Sequence, residues 1–162
     1  MLDVVDAAAA AGLRLAVCST SSEAAVRTVV RSAMGDDRYA KFDFFCGDMV
    51  KEKKPSPAIY NMAAAEMRVD PADVLVFEDT NIGLRAAVAA GMKCVVTTNA
   101  YTEAEDFTGA AAKYASLGGV GLAQLLEDVD GGGGGGGGGG ASAVPDDPSD
   151  PRASLRALLR TF

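Results

Sequence analysis

Four short runs of apolar residues punctuate the first 130 positions of the chain: LRLAVC at 13–18, FDFFC at 42–46, VLVF at 74–77 and KCVVT at 93–97. Each is apolar almost throughout rather than at alternate positions, the pattern of a strand buried on both faces. Longer Ala-rich stretches with helical character separate them. Strand runs alternating with helical stretches predict an α/β fold, a Rossmann-like parallel sheet with flanking helices. A weaker run, AAKYAS at 111–116, adds a further strand. Helix ends are also legible. Ser56 followed by Pro57 reads as an N-cap and first helical position ahead of AIYNMAAAEM, and Gly91 closes IGLRAAVAA.

The pattern stops at Asp130. Residues 131–140 are an unbroken glycine run holding ten of the chain's 19 glycines, followed by ASAVPDDPSDP. Such composition offers too little apolar surface to offset the entropy of ordering, so 131–151 is expected to be a disordered Gly-rich linker after a folded unit spanning 1–130. Beyond it, ASLRALLRTF sets Leu155, Leu158, Leu159 and Phe162 at helical spacing against Arg152, Arg156 and Arg160. This predicts a short amphipathic helix over 152–162, with a frayed tail as the plainer alternative, because a helix so short is marginal alone.

Composition narrows the chemistry. At 162 residues and 49% hydrophobic content the chain supports one modest core. A net charge of -7 and an even scatter of acids argue against a nucleic-acid partner, whose surface would need clustered Lys and Arg. No apolar run approaches the roughly 18 residues of a membrane span, and MLDVVDAAAA lacks the basic flank of a targeting segment. The expectation is a soluble protein without a membrane partner. Cys18, Cys46 and Cys94 sit in or at the end of apolar runs and read as buried small hydrophobes in a reducing compartment. With no C-x-x-C spacing and no histidine in the chain, structural zinc and Cys-His or Ser-His-Asp catalysis are excluded. Carboxylates, hydroxyls and lysines remain.

Ligands of doubly wound sheets bind beyond the carboxyl ends of the strands, so the residues directly after each run are the candidates. Ser19 and Thr20 follow the first run and precede a helical stretch whose N-terminus favours an anion, although Ser21 or Ser22 there also reads as a plain helix cap. Lys54 precedes Pro55, which biases it toward an extended loop. Taken with Lys51 and Lys53 it also fits a solvated charge run. Glu78 and Asp79 follow the third run. Paired acids there suit magnesium, which takes one or two carboxylates together with water and phosphate oxygens, while an N-cap by Asp79 is the structural alternative.

Read in order, strand-Ser19, Lys54-Pro55 and strand-Glu78-Asp79 resemble the second, third and fourth motifs of the haloacid dehalogenase-like hydrolase superfamily. VCSTSSEAAV, GDMVKEKKPSPAIY and VFEDTNIGLRAAVAAGMKCVVT are similar to its CbbY-like branch of sugar-phosphate phosphatases, over roughly residues 2–117. The resemblance implies magnesium-dependent hydrolysis of a small phosphorylated metabolite, a sugar phosphate, through an aspartyl phosphate. It gives Ser19, Thr20 and Lys54 the phosphoryl oxygens. The resemblance further implies that Asp79 binds Mg2+, with Glu78 as a further ligand or an acid behind it and Thr80 as a holder of a metal-bound water. It also implies a plastid stromal or cytoplasmic setting, and it leaves the oligomeric state open.

Two departures stand out. Ala58 occupies a position where the family usually has aspartate, one without a catalytic role. The first motif, an apolar strand followed by D-x-D-G-T with the nucleophile, is not found in these 162 residues. Asp128-Val129-Asp130-Gly131 imitates part of it, but follows a helical run and lacks the threonine. The expectation is a truncated phosphatase whose chain alone is inactive, or else a phosphate-binding or interaction module. In the family the first-motif strand lies between those matching LRLAVC and VLVF. Without it those two strands are expected to pair directly or to leave a gap. A phospho-receiver domain is excluded by order, since it places its lysine last.

Overall fold

In the computed structural model, residues 1–131 and the backbone of 157–160 are described. The chain runs α1 (Leu2–Ala10), β1 (Arg14–Cys18), α2 (Glu23–Met34), α3 (Asp36–Tyr39), β2 (Phe42–Phe45), α4 (Ala58–Met67), β3 (Val74–Glu78), α5 (Asn81–Ala89), β4 (Lys93–Thr97), β5 (Ala112–Tyr114), α6 (Leu122–Asp130) and β6 (Ala157–Arg160). Every strand read from the apolar runs is present within a residue or two of its expected bounds. α4 begins at Ala58, one residue later than the Ser56-Pro57 pattern suggests, and the Ser56 hydroxyl accepts from the Ala58 N–H at 3.3 Å.

The six strands form one sheet in the order β2-β1-β6-β3-β4-β5, and every neighbouring pair is parallel. Alternation along each strand divides the core in two. Ala16, Cys18, Val74, Val76, Cys94 and Val96 face α4 and α5, where Ile59, Tyr60, Ala63 and Leu84 meet them. Leu15, Val17, Leu75, Phe77 and Val95 face the other way, onto Val4 and Val5 of α1, Val26 and Val30 of α2 and Leu125 of α6. The strands are buried from both sides, which is why their sequences are apolar without alternation. Among the described residues no helix is long and apolar enough to cross a membrane.

The C-terminal segment corrects two expectations. Over 157–160 the backbone is a strand rather than part of a helix, and it lies in the middle of the sheet. Ala157 to Arg160 register with Arg14 to Val17 on one side and with Val74 to Phe77 on the other. β1 and β3 therefore neither pair with each other nor face a gap. The physical reason is that a run as short as ALLR satisfies helical and extended periods equally, so local pattern does not decide it. Two facing ladders of otherwise unpaired backbone groups outweigh the small preference of an isolated helix. The linker expected at 131–151 lies, apart from Gly131, outside the described residues.

Candidate functional site

Because all six strands are parallel, their carboxyl ends share one edge, and the loops that follow β1, β2 and β3 meet there. Ser19 ends β1 nearly buried, at 2% exposure. Its N–H donates to the Phe45 carbonyl at 3.0 Å, and its hydroxyl accepts from the Ser21 N–H at 3.2 Å. The Gly47 N–H donates to the Ser21 carbonyl at 2.8 Å, stapling the loop after β2 onto the loop after β1. A Cβ at Gly47 would overlap the Thr20 carbonyl, so this approach requires glycine. Thr20 is exposed, and Ser22 is the N-cap of α2 without a side-chain cap bond, so the capping alternative is not realised at Ser22.

Lys54 is the centre of the arrangement. Its ammonium donates to Glu78 Oε1 at 2.7 Å, to the Tyr60 hydroxyl at 3.0 Å and to the Cys18 carbonyl at 3.3 Å. With side-chain exposures of 9% and 2%, Lys54 and Glu78 form a buried ion pair. One side chain thus spans the residues immediately before Ser19 and Asp79 and ties the ends of β1 and β3 together. Lys53 instead turns to the carbonyls of Gly47 and Val50, and Lys51 stays exposed. The three lysines are therefore not one solvated run.

Tyr60, which the sequence reading passed over, completes the centre. Its hydroxyl donates to Glu78 Oε1 while accepting from Lys54, whose ammonium lies 4.7 Å from the ring centroid. Burial, reinforced by the Glu78 carboxylate, lifts the Tyr60 phenol well above its usual range, so it remains a neutral donor. The signal was present. Tyr60 is the one aromatic of α4, on the face that the Ala63 and Met67 positions mark as buried. Burial likewise raises the Cys18 thiol to about 12 against the opposing Lys54 charge, and raises Cys94.

Glu78 is committed. Besides Lys54 and Tyr60, its second oxygen accepts from the Asp79 N–H at 3.4 Å, and a Cβ on Gly83 of α5 would overlap its carboxyl group. Asp79 is exposed one residue beyond β3. It is not the cap of α5. Thr80 is, through its hydroxyl and the Gly83 N–H at 3.2 Å. The Asp128-Asp130 imitation of a first motif lies inside α6, where Asp128 bonds Tyr114 and Gln124 and Asp130 pairs with Lys93 at 2.7 Å.

For a magnesium ion the donor set is minimal. Among the described residues no group of three or more His, Cys, Asp or Glu is placed to hold a metal. The ion commonly accepts a single protein carboxylate when water and phosphate oxygens complete its shell, and exposed Asp79 is the residue here that could supply one. Glu78 is turned to Lys54 and Tyr60 instead. The edge as a whole offers one fixed ammonium, a buried hydroxyl and a carboxylate around a helix N-terminus, a combination suited to a phosphate carrying a cation.

Residues 1–91 match the haloacid dehalogenase-like hydrolase family. A CbbY-like protein of Arabidopsis thaliana is 50% identical over 115 residues, covering 71% of this chain and 36% of its own length. The crystal structure of CbbY from Rhodobacter sphaeroides in complex with phosphate superposes with a TM-score of 0.70 at 43% identity, over 76% of this chain and 56% of that one. A variant of the same protein in complex with xylulose-(1,5)bisphosphate gives 0.71 at 42% identity, with the same coverage. The chain thus spans between about a third and somewhat over half of the length of these relatives.

Proposed function

The chain belongs to the haloacid dehalogenase-like hydrolases, in their CbbY-like branch, and we propose that it carries the phosphate- and magnesium-binding part of a phosphohydrolase acting on a small phosphorylated metabolite, a sugar phosphate. The observation that carries this reading is the Lys54 ammonium held against the Cys18 carbonyl, Tyr60 and Glu78 where β1 and β3 end. In it, Ser19 and the N–H groups of the turn into α2 hold phosphoryl oxygens, with exposed Thr20 at the rim. Lys54 offsets their charge, and Asp79 holds the metal. Glu78 and Tyr60 keep the ammonium in place. Magnesium bound there supplies charge neutralisation on the phosphoryl group, and the attacking carboxylate of the family has no counterpart in this sequence. Relatives in complex with phosphate and with a sugar bisphosphate support the substrate class. Plant and bacterial relatives are compatible with a plastid stromal or cytoplasmic setting.

The test is binding. Phosphorus NMR titration of the chain with orthophosphate is expected to show weak, magnesium-enhanced binding. Ser19→Ala should weaken it, and Asp79→Asn should remove the magnesium enhancement while leaving the fold intact. Phosphate binding indifferent to both substitutions and to magnesium would defeat the reading. A second reading, a phosphate-binding module without turnover, is favoured by one observation: the strand in the centre of the sheet belongs to ALLRTF, which has no carboxylate side chain.

A further inference from the structure

Two helices start at the carboxyl edge of the sheet, α2 after β1 and α5 after β3, and the N-terminus of each carries a partial positive charge that favours an anion. The two ends are finished differently. At α2 the N-cap Ser22 makes no side-chain cap bond, and the acid of the first turn, Glu23, is paired with Arg27 at 2.7 Å. At α5 the N–H groups already have acceptors: the Thr80 hydroxyl takes that of Gly83 at 3.2 Å, and the carboxylate of Glu105 takes that of Asn81 at 2.5 Å. We propose that Glu105 is an internal anion that fills the α5 end and makes it the cation side of the edge, sorting magnesium to Asp79 and phosphate to the turn into α2. The inference rests on the phosphate and magnesium reading of this edge and says how one edge keeps its two ions apart.

The Glu105 carboxylate is held in place from two sides. It belongs to the segment after β4, 24 residues beyond Asn81 in sequence, and Asn81 grips that segment twice, through its N–H to Glu105 Oε2 and through its side-chain amide to the Asp106 carbonyl. The segment is also folded onto itself. Asn99 Oδ1 accepts from the N–H groups of Tyr101 at 2.8 Å and Thr102 at 3.2 Å, and the Glu105 N–H donates to the carbonyl of buried Thr102 at 3.0 Å. Asp79 stands two residues before Asn81, at the positive end of α5. That end repels a metal ion as about half a unit charge would, so a full negative charge resting on it reverses the local field. Glu78 cannot supply this, because its own charge is offset by the Lys54 ammonium at 2.7 Å. The field that Glu78 has lost to Lys54 is restored by an acid from another loop.

NMR of the full chain reads both ends at once, with magnesium chloride and sodium orthophosphate as separate probes. The reporters are the backbone amides of 79–83 and of 19–23. In the wild type magnesium is expected to shift the first group and orthophosphate the second. Glu105→Gln keeps an acceptor for the Asn81 N–H and removes only the charge. It should weaken magnesium binding roughly threefold or more, the range of a helix-end charge, and let orthophosphate shift 79–83 as well. Glu105→Ala, which also loses the bond, should weaken magnesium by the same factor, since the charge carries the effect. Glu103→Gln makes the same change in net charge from the same loop outside the Asn81 grip, and should leave both ions as they were. The inference is overturned if Glu105→Gln binds both ions as the wild type does, if only Glu105→Ala differs, or if Glu103→Gln matches Glu105→Gln. A wild-type chain that responds at neither end overturns the phosphate and magnesium reading and this inference with it, whereas a responsive wild type with an unchanged Glu105→Gln removes this inference alone.

Discussion

A buried ion pair such as Lys54–Glu78 is held by geometry more than by net attraction, since withdrawing both charges from water nearly cancels their mutual gain. The useful comparison is between breaking it and trimming its support. Glu78→Ala strands an ammonium in the interior and is expected to cost about 3–5 kcal/mol in urea unfolding. Tyr60→Phe removes one hydrogen-bonding group while the pair persists, at about 1–2 kcal/mol. If the two substitutions prove equal, Tyr60 does more than support. Gly83→Ala makes a sharper test. Alanine ordinarily stabilises a helix interior by about 0.5–1 kcal/mol over glycine, but here its Cβ overlaps the Glu78 carboxyl group, so a loss of stability is expected instead. The thiols give a pH dependence. The folded Cys18 pKa lies at about 12, above the usual 9.0, so the stability carried by its neutral form is complete below pH 9 and is lost as pH rises from about 9 toward 12. Cys18→Ala should flatten that alkaline limb in urea titrations at successive pH values, and an unchanged limb would assign it to other groups. Of these residues, Ser19, Lys54 and Asp79 were legible because each follows a strand run or leads from its loop. The bond between Lys54 and Glu78 was not legible, because 24 residues separate them in sequence and no local pattern records which way a carboxylate turns.

At the scale of elements, the sheet was readable wherever burial on both faces imposed its own composition. VLVF and KCVVT can hardly be anything but central parallel strands in an Ala-rich chain, and they are β3 and β4. Helix starts were read less well. The acid after β3 competed for the cap of α5, and Thr80 holds it because its hydroxyl reaches the Gly83 N–H three residues on. Thr80→Ala is accordingly expected to cost about 1 kcal/mol, with Thr80→Ser nearly neutral, measured by thermal unfolding. Equal losses from both would point to the methyl group rather than the hydroxyl. The tail segment escaped the reading for a different reason. Four residues carry no resolvable period, and what makes them a strand is the unpaired flanks of β1 and β3, more than 75 residues away in sequence for the nearer of the two. A tertiary acceptor decided a segment whose local preference was weak.

The molecule as a whole presents a sheet with its polar edge assembled and a central strand drawn from an unexpected place, and this bears directly on turnover. Phosphoryl transfer needs a group to receive the phosphoryl as well as groups to hold it, and positioning and charge account for most of the acceleration only when the acceptor stands in line. The strand between β1 and β3 is the one whose carboxyl end opens between Ser19 and Asp79, and in the family's order it carries the attacking aspartate. Here the described strand at that place is Ala157–Arg160, followed in sequence by Thr161 and Phe162, and none of these residues carries an acidic side chain. Three of the described acids are already engaged by other groups. Glu78 is engaged by Lys54 and Tyr60, and Asp128 and Asp130 are tied into α6 contacts with Tyr114, Gln124 and Lys93. The 162-residue chain purified with magnesium is therefore expected to hydrolyse no sugar phosphate above background in a phosphate-release assay, while still binding orthophosphate weakly. A longer polypeptide that adds an apolar strand ending in D-x-D-G-T has to displace β6 to become active, so in such a protein deletion of 152–162 should leave activity unchanged or raise it. Robust turnover by the 162-residue chain that vanishes with Asp79→Ala would refute the inactive reading, because the metal-binding edge would then be working with an acceptor drawn from this chain's own carboxylates.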